Sequence, residues 1–546
     1  MKKIIITLII ILSVTLCFGQ DWIWAKQIGS SSSVGGGALI DANNNIYCSG
    51  MFFGSCYFEH DTLTALGYND LFLAKFDVNG NKLWAKRIGG GNPSGVYEYG
   101  GIAIVDNSNA CLYFNGRFYG SLTIDGHTVN SSGGLDIFIA KFDLMGNCLW
   151  IKKAGSGGDD DYGALCIDVN GDLYATGQLS YNYGFFDTIN LPHGIFLAKI
   201  APDGNIQWAH NEISGGSVVT SVNAMKIIND NILMAGVAGK DTIILGTTPL
   251  IANNAGGFIA KLDLNGNCLK AKRFGGYLVN YAGEFVTDVN NNIYLSGIFQ
   301  DTLIIDSTTL TNSNGLWEMY FCKFDSAFNL NWIRQSHSTG ALGAHASGVV
   351  EDSEGKFYIS GSFSGNATFG TYNVSSPVNK DIFIARYDIN GDCLGVRHFG
   401  EAEAGSIATG SISLDSNGDL IVGGNFKNTV NIGNTTLTSI GSQDMFFAKA
   451  TPITGISVAQ KSANSQLLIY ANPTTGKCNI TVPDAFINEK NLTLSIFDNT
   501  GKLIQQQKLE MNEDKIKLNL EAEAKGVYTA ILSNGKKSFT GKIVFE

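Results

Sequence analysis

Short apolar runs, broken by turns rich in Asn, Asp and Gly, recur from Trp22 to Ala450 with no helical period. Residues 34–90 show the order. Val34 to Asp41 is an apolar run, and Asn43-Asn44-Asn45 is turn chemistry. Ile46 to Phe53 is a second run, and a longer connection holds Thr62-Leu63-Thr64 and Gly67. Leu71 to Asp77 is the third run, Asn79-Gly80-Asn81 a tight turn, and Leu83 to Ile88 the fourth run. Asn-Gly supplies the positive φ values that a hairpin turn needs. Leu71-Phe72-Leu73-Ala74 is apolar on both faces, as a sheet packed between two others requires, whereas a half-exposed sheet would alternate. The pattern predicts an all-β fold of four-stranded units.

The unit recurs about every 62 residues, seven times. The basic residue of its third strand, Lys75, returns as Lys141, Lys199, Lys261, Lys323, Arg386 and Lys449. The glycine of its second strand, Gly50, returns as Gly116, Gly177, Gly236, Gly297, Gly361 and Gly424. The Trp84 position holds Trp24, Trp150, Trp208, Lys270, Trp332 and Gly395. Four-stranded units of this kind are propeller blades. The first and last copies are complementary fragments: Trp22 to Lys26 is a fourth strand alone, and Met445 to Lys449 is a third strand without a fourth. A ring satisfies both and hides their unpaired edges, whereas a solenoid would need capping units. The expectation is a seven-bladed β-propeller closed by the N-terminal strand, over residues 20–451.

The repeat resembles the SBBP-type bacterial beta-propeller family. Asp288-Val-Asn-Asn-Asn-Ile-Tyr294-Leu-Ser-Gly297 carries its hairpin, and Asp70-Leu-Phe-Leu-Ala-Lys-Phe-Asp77-Val-Asn-Gly-Asn-Lys-Leu-Trp84 its second half. The fourth copy departs most, with Ile227 for the hairpin Asp and Lys270 for the Trp. The resemblance implies a propeller scaffold and no fixed activity.

Residues 452–466 read as a linker and residues 467–546 as a small β-rich module without the repeat. Its landmarks are Tyr470-Ala-Asn472-Pro473-Thr-Thr-Gly476, Asp498-Asn-Thr-Gly501-Lys502, Gly526-Val-Tyr528 and a last strand from Lys542. They are similar to the type A C-terminal sorting domain of the type IX secretion system, whose Tyr-Pro-Asn-Pro is altered by Ala471. The resemblance implies a receptor-read address, the secretion machinery as partner, and passage through the periplasm to a secreted or outer-membrane surface-attached state. The alternative is a sandwich tail used for binding.

Residues 1–19 read as a secretory signal: Lys2 and Lys3, then apolar Ile4 to Leu16, with small residues at Cys17 and Gly19. That run is too short to span a bilayer comfortably, and no transmembrane segment is expected elsewhere. The net charge of −11 falls on the repeats, since the last 80 residues are close to neutral. An acidic surface argues against nucleic acid. The cysteines show no Cys-x-x-Cys spacing, and Cys148, Cys268 and Cys393 share one repeat position, so they read as small buried apolar residues.

Candidate chemistry divides between recurring and unique residues. Asp-x-Asn-Gly-Asn runs such as Asp77 to Asn81 invite calcium, but they offer too few carboxylates and sit where hairpins turn. No cofactor or metal is expected. The Lys75-type residues read as charge partners of a blade Asp, and the Trp84-type residues as packing aromatics. Asp61-Thr62-Leu63, Asp187-Thr188-Ile189, Asp241-Thr242-Ile243 and Asp301-Thr302-Leu303 resemble a bacterial O-glycosylation signal, or are strand starts. No His-Glu-x-x-His, Gly-x-Ser-x-Gly or Ser-x-Asp-x-Gly-x-x-Trp occurs, so a non-enzyme is expected. Function is then expected in the blade-to-blade loops, with Tyr97, Tyr99, Asp160, Tyr162, Tyr281 and His345 as the ligand-binding candidates and Asp159 to Asp161 as a solvated acidic loop. They suit an extracellular glycan or protein ligand in a binding or adhesion scaffold. The alternative is a secreted polysaccharide-active hydrolase or lectin-like accessory.

Overall fold

A computed structural model describes residues 22–91, 98–214, 221–239, 242–245, 248–250, 256–276, 280–312, 315–400, 406–453, 467, 469–483, 486, 491–498, 502–509, 515–534 and 538–546. The signal at 1–19, most of the linker, Tyr97 and Gly501 lie outside these residues. The chain divides into two compact units, residues 1–457 and 458–546. The described residues are all-β, with no α-helix.

In the first unit, runs of four antiparallel-paired strands open at Ser33, Tyr99, Asp161, Ser221, Asn280, Ala344 and Ser406, and short hairpins extend or join several of these runs into larger sheets of six to ten strands; each run is called a sheet below. Sheet one runs Ser33–Ile40, Ile46–Phe53, Asp70–Phe76 and Lys82–Ile88 in pairing order. Its third strand is buried along its whole length, as two apolar faces require. Sheet seven takes Ser406–Leu414, Leu420–Lys427 and Asp444–Ala450, and its fourth strand is Trp22–Ser30 from the other end of the chain. There Trp24 faces Lys449, as Trp84 faces Lys75 and Trp150 faces Lys141. The pairing is tied down by burial: Trp22 meets Phe399 edge to face at 4.3 Å, and Ile28 joins Phe72 and Phe447 in one apolar cluster.

Sheets one and seven also touch through their small residues. Ser411 Oγ accepts from the Ala38 amide (2.7 Å) and Asn425 Oδ1 from the Gly36 amide (2.9 Å). A Cβ on Gly410 would lie 2.8 Å from the Gly36 carbonyl oxygen, so a side chain there would push these strands apart.

The connection between second and third strands, read from the sequence as a loop, is a β-hairpin. In sheet one it is Ser55–Phe58 with Asp61–Thr64. In several sheets it adds to the fourth strand of the sheet before it: Tyr57 faces Gly29, Phe186 faces Ala154, Leu245 faces Ile213 and Ile304 faces Gly275, whereas Ser121–Ile124 with His127–Asn130 and Thr429–Ile432 with Thr435–Thr438 stand as separate two-stranded sheets. Such four-residue strands are too short to show a period, and the docked ones form because the neighbouring strand offers an edge. Thr62 and Thr188 stand exposed on these hairpins.

The second compact unit packs a three-stranded sheet (Ile469–Tyr470, Lys477–Thr481, Lys515–Asn519) and a four-stranded one (Leu503–Leu509, Leu492–Phe497, Gly526–Ser533, Ser538–Phe545) around one apolar core. Its motif residues hold its own frame. Asn472 Nδ2 donates to the Lys542 carbonyl (2.6 Å), and its Oδ1 accepts from the Val544 amide (2.8 Å). Pro473 follows, leading to Thr474, whose amide donates to Val544. Gly476 has φ 115°, closed to most side chains. The Asp498 carboxylate accepts from the Lys502 amide (3.0 Å), Gly526 opens its strand, and Tyr528 donates its hydroxyl to the Ala524 carbonyl.

Candidate functional site

Recurring charges are consumed inside the frame. Lys75 lies 4.0 Å from the hairpin Asp41, Lys199 3.7 Å from Asp168, Arg386 2.9 Å from Asp352 and Lys449 2.6 Å from Asp415. The hairpin Tyr joins them: the Lys75 ammonium sits 5.0 Å over the Tyr47 ring, and Trp84 meets that ring at 6.3 Å. Trp84 and Trp150 then donate their indole N–H to the Leu144 and Pro202 carbonyls of the following sheet (3.1 and 3.2 Å). Where the lysine, tyrosine and tryptophan occur together, as at Lys75, Tyr47 and Trp84, they seal the junction to the following sheet. The Asp77 carboxylate is likewise occupied. It accepts from the amides of Asn79 (2.9 Å) and Asn81 (2.8 Å) and from the Asn81 side chain (2.8 Å), which holds it below the usual carboxylate range.

A second recurring acid opens the motif at Asp70, and its burial was not legible from the sequence. The third strand opens on a buried carboxylate at Asp70, Asp136 and Asp444, and Glu318 is buried one place inside its strand. Each receives donors from the strand and loop that lead to the next sheet, such as Arg87 to Asp70 (2.6 Å) and the Ser338 amide to Glu318 (2.6 Å). Burial raises the Asp136 carboxyl to about 6.

These acids explain why Asp160 is not the solvated residue expected. It is fully buried, and its carboxylate accepts from Ser156 Oγ (2.7 Å) and from the Ser180 amide (2.7 Å). Burial raises its carboxyl. Glu98 is its counterpart one repeat earlier, raised to about 8 by burial first and then by Asp70. Both brace a crossover between sheets rather than face outward.

The other rim candidates stand at the leading ends of first strands, not in loops. Tyr99 and Tyr162 come together around Arg117, whose guanidinium lies 4.3 Å over the Tyr99 ring and 3.6 Å from the Asp161 carboxylate. Tyr162 donates its hydroxyl to the Gly100 carbonyl (3.0 Å), and burial pushes that hydroxyl up to about 12. Tyr281 faces Ile298 in its strand, and its side chain lies outside the described residues. His345 pairs its Nε2 with the Leu342 carbonyl (2.9 Å), 6.0 Å from the Trp317 ring, and burial lowers its pKa.

The largest chemical contrast lies between the first strands. A cavity of about 380 Å³ is lined from six of the seven sheets, mostly by Gly, Ser, Ala and Val. Two charged residues enter it, Lys226 and Glu284. Burial lowers the Lys226 ammonium, opposed by Glu284 and Glu351, and raises the Glu284 carboxyl, opposed by Lys226. Lys226 also lies 5.7 Å over the Phe285 ring. Sequence reasoning missed this pair. Aligning the repeats exposes it, since the Glu284 position holds Gly37, Ala164, Asn223, Gly348 or Ser411 in other units. Among the described residues, no group of three His, Cys, Asp or Glu could hold a metal ion.

Residues 468–546 match the secretion system C-terminal sorting domain family. An uncharacterized WD repeat-containing protein of Acanthamoeba polyphaga mimivirus is 25% identical over 337 residues, 48% of this chain and 24% of that protein. The chain thus spans about a quarter of the curated relative it matches. Among solved structures, a Synechocystis apocarotenoid oxygenase variant aligns over 92% of this chain and 98% of its own at 11% identity and a TM-score of 0.33. The Trypanosoma rangeli sialidase aligns over 70% of this chain and 84% of its own at 11% identity and a TM-score of 0.27. These structural likenesses carry no inference about activity.

Proposed function

We propose that this chain is a closed seven-bladed β-propeller, exported by the type IX route and acting outside the cell as a binding scaffold for a glycan or protein. The match of residues 468–546 to the sorting domain family carries this reading, because a chain with such a tail works at the cell surface or beyond it. Pairing of Trp22–Ser30 with Asp444–Ala450 supports closure. Binding follows from where charge is left over. Lys75, Lys199, Arg386 and Lys449 are spent on the aspartates of their own hairpins, whereas Lys226 and Glu284 stand in a cavity lined mostly by small residues. A half-buried ammonium and a half-buried carboxyl lining one cavity offer a donor and an acceptor to a polar ligand.

The test is an immobilised glycan and protein panel probed with the full chain. Saturable binding that falls at least tenfold in Lys226→Met or Glu284→Gln supports the reading. Binding unchanged in both variants removes the cavity from it. A hydrolase reading has one observation in its favour, the raised Glu284 carboxyl, since a glycosidase acid needs such a shift. Release of reducing sugar by the wild type and not by Glu284→Gln would replace binding with hydrolysis.

A further inference from the structure

The fourth repeat breaks the junction pattern at three places at once. Its hairpin Tyr is Leu233 and its Trp is Lys270, and the strand register puts Ile228, not Ile227, at the hairpin Asp, since Ile227 pairs with Ile232 as Ile40 does with Ile46; Lys261 is kept. The tryptophan is replaced in kind. In other junctions the indole lies on a turn glycine, as Trp84 does on Gly146. Here the turn residue is Phe328, with φ 62°, and Lys270 sits 5.8 Å over its ring and donates to the Ala327 carbonyl (2.6 Å). A phenylalanine accepts that left-handed backbone only where something else holds it, and this exchange of Trp and Gly for Lys and Phe keeps the outer part of the junction filled.

The aspartate and the tyrosine are not replaced. Their place is a pocket of about 250 Å³, walled by Leu233, Ile293 and Phe328 and rimmed by Asn229 and Asn291, whose side chains bond across the junction (2.9 Å). Lys261 lines it and has no hydrogen bond, ion pair or aromatic contact among the described residues. In five of the other repeats this place holds a tyrosine and an aspartate, and in the seventh Ile421 stands for the tyrosine while Asp415 is kept.

We propose that this pocket binds a small carboxylate carried on a ring, with Lys261 as its counter-ion. The ligand supplies what the repeat lacks: a carboxylate for an ammonium that elsewhere has one, and a ring for the wall that a tyrosine elsewhere fills. The asparagine rim offers donors and acceptors to substituents of that ring. The volume is below the roughly 300–1,000 Å³ of drug-sized sites, so it takes one ring and not an oligomer. The site is separate from the cavity between the first strands and does not depend on it.

The experiment is calorimetric titration of the full chain with benzoate, glucuronate and acetate. Saturable binding of benzoate or glucuronate, at least tenfold tighter than acetate, is expected, and the tighter of the two tells whether the ring is aromatic or a sugar. Lys261→Met should weaken it at least tenfold with an unchanged unfolding midpoint. The double change Ile228→Asp with Leu233→Tyr, which restores the pattern of the other repeats, should abolish it. No saturable binding of either ring carboxylate overturns the proposal, as does equal affinity in Lys261→Met. Acetate binding as tightly as the ring carboxylates removes the ring from it. If the double variant does not fold, Lys261→Met decides alone.

Discussion

Replacing Trp22 with Ala tests whether the first strand is a working part of the last sheet. Trp22 is 7% exposed and meets Phe399 edge to face at 4.3 Å. Truncating a buried Trp costs about 3–5 kcal/mol through lost transfer energy and the cavity left behind, and the ring pair contributes roughly 1 kcal/mol of that. Ile23, next along the same strand, is 44% exposed, so Ile23→Ala should stay within about 0.5 kcal/mol. All seven tryptophans lie in the repeats. Tryptophan fluorescence during urea unfolding therefore reports that unit alone, and the slope of the transition should not change. Trp22→Ala costing no more than Ile23→Ala would refute the pairing of this strand with Asp444–Ala450.

Two further expectations follow from the charges. Lys449→Met strands Asp415, whose side chain is 1% exposed, and should cost about 3–5 kcal/mol, whereas Lys261→Met strands no carboxylate and should cost under about 1 kcal/mol. Equal losses in urea unfolding would contradict the assigned partners. Glu98 has a carboxyl raised to about 8, so the fold favours its protonated form. That stabilisation is complete below the ordinary value of 4.5 and is lost as pH rises through about 8, at up to about 1.4 kcal/mol per pH step. Glu98→Gln should flatten the fall in stability between pH 6 and 8, and an unchanged slope would remove Glu98 as its source.

Period, landmarks and turn chemistry were legible because they recur from repeat to repeat and each has a local cause. The Asp77 turn needs only its own five residues, and Lys75 needs only the Asp of its own hairpin. What stayed hidden depends on neighbours. The docking hairpins form on an edge supplied by another sheet, and Asp160 is buried by Ser156 and Ser180 across a crossover that reads as a polar loop. Lys226 and Glu284 come from different repeats, and only folding brings them to one cavity. The weakest repeat was visible as a set of substitutions in its hairpin and at Lys270, but the pocket they leave depends on Phe328 turning in from the next sheet.

Export is the premise on which an extracellular scaffold rests, and fractionation of cells that own the type IX machinery measures it directly. The full chain should reach the surface or the medium, and a chain ending at Ile453, without the residues that match the sorting family, should stay in the periplasm. Equal amounts of both chains outside the cell would contradict the account.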